Sequence, residues 1–210
     1  MKGPDVPDRR GARIEGPEVT ASSLLEQVKT SDPGGWRRLV SLYGPLAYSW
    51  CRQAGLKSHD AADVVQEVFR AVWKHIGDFR RDRPGDSFRG WLRTITRNKV
   101  RDHWRRERVR PGALGGTEAH VRLSQVPDDA PPDEPENDDP SEANLVFRRA
   151  LELVRSEFEN RTWQAFWLTT VEDRDPGQVG AELGMTANAV YIAKSRVLSR
   201  VRAEFGELID

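Results

Sequence analysis

Apolar residues recur at intervals of three or four along most of this chain, which is the spacing of one buried helix face. The clearest stripe lies in residues 58–77 and consists of Val64, Val65, Val68, Phe69, Val72, Trp73 and Ile76. Ser58 and Asp60 supply oxygens that suit a helix start, and Gly77 suits its end. Long runs that alternate β-branched and polar residues, as strands do, are absent. The pattern therefore predicts an all-α fold.

The same spacing predicts three more helices before residue 110. The first starts at Thr20. The second starts at Pro33 and is expected to break or kink at Pro45, because proline removes a helix hydrogen bond. The third starts at Ser87, and its inner face would be Trp91, Leu92, Ile95 and Val100. Four helices in this order predict one small helical domain over residues 20–110.

A second helical domain is predicted over residues 142–210, where apolar residues again have helical spacing. Its last part combines a short helix over 176–183, a turn at Gly184, a capping Thr186 and a longer helix. This order is typical of a helix-turn-helix, in which the second helix reads DNA. A plain pair of packed helices remains the alternative. The outward side chains would be Asn188, Tyr191, Lys194, Ser195 and Arg196.

Composition separates the two predicted domains. Residues 111–141 are rich in proline and acidic side chains, and such a segment buries too little apolar surface to order itself. We therefore predict a flexible acidic linker there. Residues 1–19 are rich in Gly, Pro and Arg, have no apolar core of a secretory signal, and predict a disordered leader.

Charge is distributed in two opposite blocks, although the formal net charge is +0. The helix predicted after Ser87 is crowded with arginines and carries Trp91 and Trp104, whereas residues 124–142 contain no Lys or Arg. A basic face with aromatic rings suits a nucleic-acid strand, because cations pair with phosphates and rings stack on bases.

Several classes of function are disfavoured by what the chain lacks. Cys51 is the only cysteine, so no intrachain disulfide forms, which fits a reducing cytoplasm. Its apolar helical surroundings favour core packing over a role as a nucleophile. No stretch is apolar enough to span a membrane. Neither a metal-ligand spacing nor a glycine-rich phosphate loop is present. We therefore expect no metal, no cofactor and no enzymatic activity.

Three blocks of the chain resemble the sigma-70 family of bacterial transcription initiation factors, in its compact extracytoplasmic-function (ECF) form. Residues 60–69 (DAADVVQEVF) resemble the family's region 2.2. Residues 79–83 (FRRDR) and 87–98 (SFRGWLRTITRN) resemble regions 2.3 and 2.4. Residues 179–196 (VGAELGMTANAVYIAKSR) resemble the helix-turn-helix of region 4. The three blocks occur in the family's order, with the predicted linker between the second and the third.

The resemblance implies that the first domain binds core RNA polymerase, at a coiled coil of the β′ subunit, and melts the promoter −10 element. The residues implied for polymerase binding are Asp63, Val64, Gln66, Glu67 and Phe69. Those implied for the −10 strand are Phe79, Trp91, Arg93, Arg97, Asn98, Arg101 and Arg105. Stacking on an aromatic ring offsets part of the cost of flipping a base. Trp91 fits a buried face equally well.

The second domain is implied to read the −35 element and to touch the polymerase β flap. Its implied contacts are Thr186, Asn188, Tyr191, Lys194, Ser195 and Arg196. The sequence departs from the commoner family pattern at Tyr191 and Ala193, where arginines are frequent, so the promoter sequence cannot be transferred. Whether an anti-sigma factor also binds is left open. The competing hypothesis is a stand-alone helix-turn-helix regulator that acts without polymerase.

Overall fold

A computed structural model describes residues 23–83, 85–109 and 140–209 of the chain. Within these residues it contains eight α-helices, two short 3-10 turns and no strand, so the predicted all-α class is confirmed. The helices are α1 (Leu24–Lys29), α2 (Pro33–Gln53), α3 (Ser58–His75), α4 (Phe88–Val109), α5 (Pro140–Val154), α6 (Asn160–Thr170), α7 (Pro176–Leu183) and α8 (Ala187–Ile209). The predicted leader and residues 111–139 of the predicted linker lie outside the described residues.

Helix starts differ from the sequence prediction at two places. Thr20 lies outside the described residues, and α1 begins with a capping box in which Ser23 accepts from the Glu26 N–H while the Glu26 carboxylate accepts from the Ser23 N–H. Ser58 is the first residue of α3 and not its cap. The cap position is Lys57, whose side chain makes no capping bond.

The break expected near Pro45 is absent, because α2 runs without interruption from Pro33 to Gln53. Proline costs a helix one hydrogen bond and brings its ring against the preceding turn. The residues around it, Leu42, Tyr43, Leu46 and Ala47, are all at most 1% exposed. Burial of this apolar face stabilises the continuous helix by more than the missing bond costs.

One hydrophobic cluster extends through both parts of the molecule, which we call the first half (residues 23–109) and the second half (residues 140–209). Buried members include Leu24, Tyr43, Val68 and Leu92 from the first half and Val146, Leu151, Phe205 and Leu208 from the second. Helix α2 packs on α5, and both α1 and α4 contact α8. A smaller cluster of Ala165, Val179, Val190 and Ala193 joins α6, α7 and α8. The two halves therefore share a core, and the domain boundaries stay a prediction.

Charged side chains bridge the two halves at the end of this core. Arg38 of α2 pairs with Glu204 of α8, whose side chain is 3% exposed, and lies 3.6 Å from Glu157. Arg200 binds both carboxylates at 2.6 Å. Elsewhere the Tyr43 hydroxyl donates to the Leu208 carbonyl, and Arg149 Nε donates to the Ser41 carbonyl over 2.9 Å. Apolar packing and ion pairs thus hold the halves together.

Candidate functional site

The acidic side of α3 presents only part of the set implied for polymerase binding. The side chains of Asp63 and Gln66 are exposed, whereas Val64 and Phe69 are buried, at 1% and 5% exposure. Both apolar residues lie on the opposite face of the helix and belong to the core. They position α3 in the fold, and the surface itself is polar.

Glu67 connects this acidic surface to the basic helix α4. Its two carboxylate oxygens accept from the Arg106 guanidinium at 3.0 and 3.1 Å, a bidentate pair between α3 and α4. The hydrogen bond from Arg106 holds the pKa of Glu67 below its usual value, aided by the positive charges of Arg106, Lys99 and Arg70. The carboxylate therefore stays ionised.

Phe79 and Trp91 lie together in an aromatic cluster at the start of α4. The Phe79 ring lies 5.5 Å from Phe88 and 5.1 Å from Trp91, and the Lys29 ammonium lies 5.9 Å from its centroid. Phe79 is only 5% exposed, while Trp91 is half-buried. Of the two rings, Trp91 has the larger accessible surface. Phe79 supports it from the core side.

The remaining residues implied for the −10 strand lie on α4 from its middle towards its end. Asn98 and Arg105 are exposed, and Arg97 and Arg101 are half-buried. Arg105 Nη1 lies 3.3 Å from Asp102, which leaves most of its guanidinium to solvent. A basic strip of this kind concentrates positive potential along one helix.

Arg93 is the exception among the implied phosphate contacts, because a carboxylate of the second half already binds it. Its Nη1 lies 3.3 Å from both oxygens of Glu142, the third residue of α5. Trp50 Nε1 donates to the same carboxylate over 2.7 Å, and the Arg93 guanidinium lies 5.5 Å above the Trp50 ring. No sequence pattern predicts this contact, since Trp50 and Glu142 lie 92 residues apart in the chain.

Helices α7 and α8 are connected by a turn that only glycine accommodates well. Asp175 caps α7 by accepting from the Gln178 N–H at 2.9 Å, and Gly184 ends it with a left-handed φ of 61°. A Cβ at Gly180 would lie 2.7 Å from the Met185 carbonyl oxygen. The Ala189 N–H then donates to Thr186 Oγ1 over 3.1 Å and caps α8 as the sequence predicts.

The outer face of α8 carries the side chains implied for base reading. Asn188, Tyr191, Ser195 and Arg196 are exposed and Lys194 is half-buried. Ile192, which the sequence analysis did not select, is 44% exposed. Its position four residues after Asn188 and four before Arg196 places it on the same face, and this spacing is the signal that would have found it.

Other kinds of site have no support among the described residues. They contain no group of His, Cys, Asp and Glu side chains that could hold a metal ion. In the same part of the chain no helix combines the length and apolar character needed to cross a membrane. Cys51 is fully buried, and desolvation raises the pKa of its thiol to about 11, so it stays protonated near neutral pH.

Comparison with known proteins agrees with this architecture. The family model for sigma-70 region 2 matches residues 39–110. RNA polymerase sigma factor CnrH of Cupriavidus metallidurans is 31% identical over 199 residues, which cover 92% of this chain and 96% of CnrH. RNA polymerase sigma factor NccH of Alcaligenes xylosoxydans xylosoxydans is 28% identical over 189 residues, which cover 90% of this chain and 94% of NccH.

Two further similarities are weaker. ECF RNA polymerase sigma factor SigE of Mycolicibacterium smegmatis is 30% identical over 74% of this chain and 55% of SigE. The solved structure of CnrH in complex with the cytosolic domain of CnrY is 24% identical, with a TM-score of 0.34, and covers 86% of this chain and 93% of that one.

The all-α fold, the match to region 2 and the similarity to CnrH over 92% of this chain define the class as transcription initiation factors, which are not enzymes. Within that class, the chain belongs to the extracytoplasmic-function group of the sigma-70 family of RNA polymerase sigma factors.

Proposed function

We propose that this chain binds core RNA polymerase through α3 and directs it to promoters, with α4 capturing the melted −10 element and α8 reading the −35 element. One observation carries the proposal. The exposed carboxylate of Asp63 and amide of Gln66 lie on α3, which packs against the basic helix α4 and is tied to it by Glu67 and Arg106. The proposed polymerase and DNA surfaces would thus be adjacent, and the protein would act in the cytoplasm, with both partners.

On the polymerase side, Asp63 and Gln66 would meet basic side chains of the β′ coiled coil. Their exposure supports this role, because a charged group on a protein surface is available to steer and pair with a partner of opposite charge. Glu67 would contribute through the carboxylate lone pairs that Arg106 leaves free, or after Arg106 moves away. Val64 and Phe69 would act by holding the helix.

On the DNA side, Trp91 would stack on an unpaired base while Asn98 contacts its edge. The arginines of α4 would follow the phosphates, which fixes position without reading sequence. On α8, the polar side chains of Asn188, Ser195 and Arg196 would contact base edges. Ile192 joins this set as a group that fits the methyl of thymine. The same half would touch the β flap.

Transcription from a promoter template by purified core polymerase tests the proposal. Initiation that depends on added protein is expected, and binding to duplex DNA without any effect of polymerase would instead favour the stand-alone regulator. A double variant, Asp63→Lys with Gln66→Lys, should abolish association with core polymerase while circular dichroism shows unchanged helix content. Glu172→Lys is the control, since Glu172 is exposed and follows α6, outside the helix pair of α3 and α4.

A further inference from the structure

The Glu142 carboxylate is held by two groups of the first half that would bind other oxyanions equally well. Trp50 supplies a neutral N–H at 2.7 Å, and Arg93 supplies a guanidinium at 3.3 Å from both oxygens. The Arg93 guanidinium also lies 5.5 Å above the Trp50 ring, which restricts its orientation. The neutral N–H of Trp50 and the guanidinium of Arg93, which the Trp50 ring holds in place, together form a preorganised anion site.

Burial shows that this site is part of the fold and not an incidental surface pair. Trp50 is 7% exposed and Glu142 is 9% exposed, and the Trp50 N–H has the Glu142 oxygen as its partner. A buried carboxylate costs free energy unless charged or polar donors compensate it. Arg93 and Trp50 provide that compensation, so the pocket is selective for a negatively charged group.

A phosphodiester oxygen satisfies the same donors. Guanidinium groups bind phosphate as well as carboxylate, and a neutral N–H donates to either oxyanion. We propose that Trp50 and Arg93 form a binding site for a backbone phosphate of promoter DNA, and that Glu142 occupies this site as an internal competitor. The inference deepens the proposed function, on which it rests, by adding Trp50 to the DNA surface and by giving Arg93 two alternative partners.

The competition follows from geometry and charge. A phosphate and the Glu142 carboxylate cannot take the same place, because both would need the Trp50 N–H. Two anions side by side would also repel each other. DNA contact at Arg93 therefore requires α5 to withdraw at least its first turn. Because Glu142 is part of the same chain, it competes at a high effective concentration.

The Glu142→Gln variant tests the competitor. The amide retains an acceptor for Trp50 but removes the charge that Arg93 binds. Affinity of the full chain for a fluorescein-labelled single-stranded oligonucleotide would be measured by anisotropy over a range of salt. We expect binding to tighten about three- to tenfold, since the fraction of chains with a free site rises. Glu152→Gln is the control, because Glu152 lies on α5, is exposed and pairs with Arg149.

The Trp50→Phe and Arg93→Ala variants, both made in the Glu142→Gln background, test the site itself. Phenylalanine retains a packed ring and removes the N–H, so it should cancel much of the gain. Arg93→Ala should weaken binding and lower the salt slope by about 0.7, the value for one phosphate contact on a single strand. Circular dichroism and urea midpoints establish that each variant is folded.

Three results would overturn the inference. Glu142→Gln could bind no more tightly than the unaltered chain, Glu152→Gln could give the same gain, or Trp50→Phe could leave the gain intact. The inference would also fail if neither the unaltered chain nor any of the variants bound the oligonucleotide. The proposed function is judged separately by polymerase-dependent initiation with the unaltered chain, so failure of one does not imply failure of the other.

Discussion

Gly180 and Gly184 shape the connection between α7 and α8 for two different reasons. Gly180 is buried beside the Met185 carbonyl, and Gly184 has the left-handed φ that L-residues rarely adopt. The sequence predicts the turn at Gly184, whereas Gly180 lies inside the short helix predicted over 176–183. Close approach of backbone explains Gly180, and conformation explains Gly184.

Gly180→Ala should destabilise the protein by about 1–3 kcal/mol, the usual range for forcing an extra methyl into a packed position. Its Cβ would lie 2.7 Å from a backbone oxygen that cannot rotate away. Urea unfolding followed by circular dichroism measures the change. Gly206→Ala is the matched control, since its Cβ would meet Arg202 Cγ at an ordinary 3.5 Å and alanine favours the helix. Equal midpoints for the two variants would contradict the packing explanation.

Cys51 should remain a thiol in the folded protein well above the pH at which free cysteine ionises. Its pKa is raised by burial from 9.0 to about 11. Between pH about 9 and about 11 the unfolded chain releases the thiol proton while the folded chain keeps it, so the free energy of unfolding falls over this range. Below pH about 9 both states are protonated, and Cys51 causes no such loss of stability. We expect almost no reaction with a chromogenic thiol reagent at pH 8 in the native state and full reaction in urea. Rapid native labelling would show that the site opens readily.

At the scale of elements, helical spacing predicted α3, α4 and α8 well, because each buries one stripe against a common core. The first and last turns were harder. At α1 the capping oxygen comes from Ser23 and not from Thr20. At α3 the cap position is Lys57, one residue before the expected Ser58, and its side chain makes no capping bond. Pro45 is tolerated because the apolar face of α2 is buried against other helices, which the sequence of α2 alone does not show.

Arg106→Ala should raise the pKa of Glu67 towards its ordinary value, because Arg106 provides the hydrogen bond that lowers it. NMR titration of the Glu67 carboxyl carbon measures the shift. With the pKa lowered in the folded state, the pair stabilises the fold above the unfolded pKa, and this contribution disappears as pH falls through the folded pKa. Its size is at most about 1 kcal/mol, since the pair is exposed.

Arg105→Ala supplies the comparison for this pair. Arg105 lies on the same helix but binds Asp102, so it should leave the Glu67 titration unchanged. If both variants moved the Glu67 pKa alike, a general loss of positive charge would explain the shift better than the bidentate contact.

At the scale of the whole molecule, the second half covers part of the first. The sequence predicts two helical domains, and in the structure α2 packs against α5 while α8 contacts α1 and α4. Arg38, Glu157, Arg200 and Glu204 form the charged part of this contact. The same packing brings Glu142 to Arg93, and so joins the structural contact between halves to the proposed DNA surface.

Glu204→Ala should destabilise the full chain by about 1–3 kcal/mol, because it leaves Arg38 and Arg200 without a buried carboxylate between them. The value is below that of a fully buried pair since both arginines are partly exposed. Urea unfolding followed by fluorescence measures it. Glu182→Ala, which removes an exposed partner of Arg174, should change stability by less than about 1 kcal/mol. A similar loss of unfolding free energy for both variants would show that the buried carboxylate contributes no more than an exposed one.

The sequence by itself determined the helical class, the order of the helices, the turn at Gly184 and the three blocks that place the chain in its family. These are local or periodic properties, set by spacing, caps and glycine conformation. Only the tertiary structure decided that Phe79 lies in the core and that Arg93 binds Glu142. Periodicity marks which residues share a face, but which face is covered depends on partners distant in the chain.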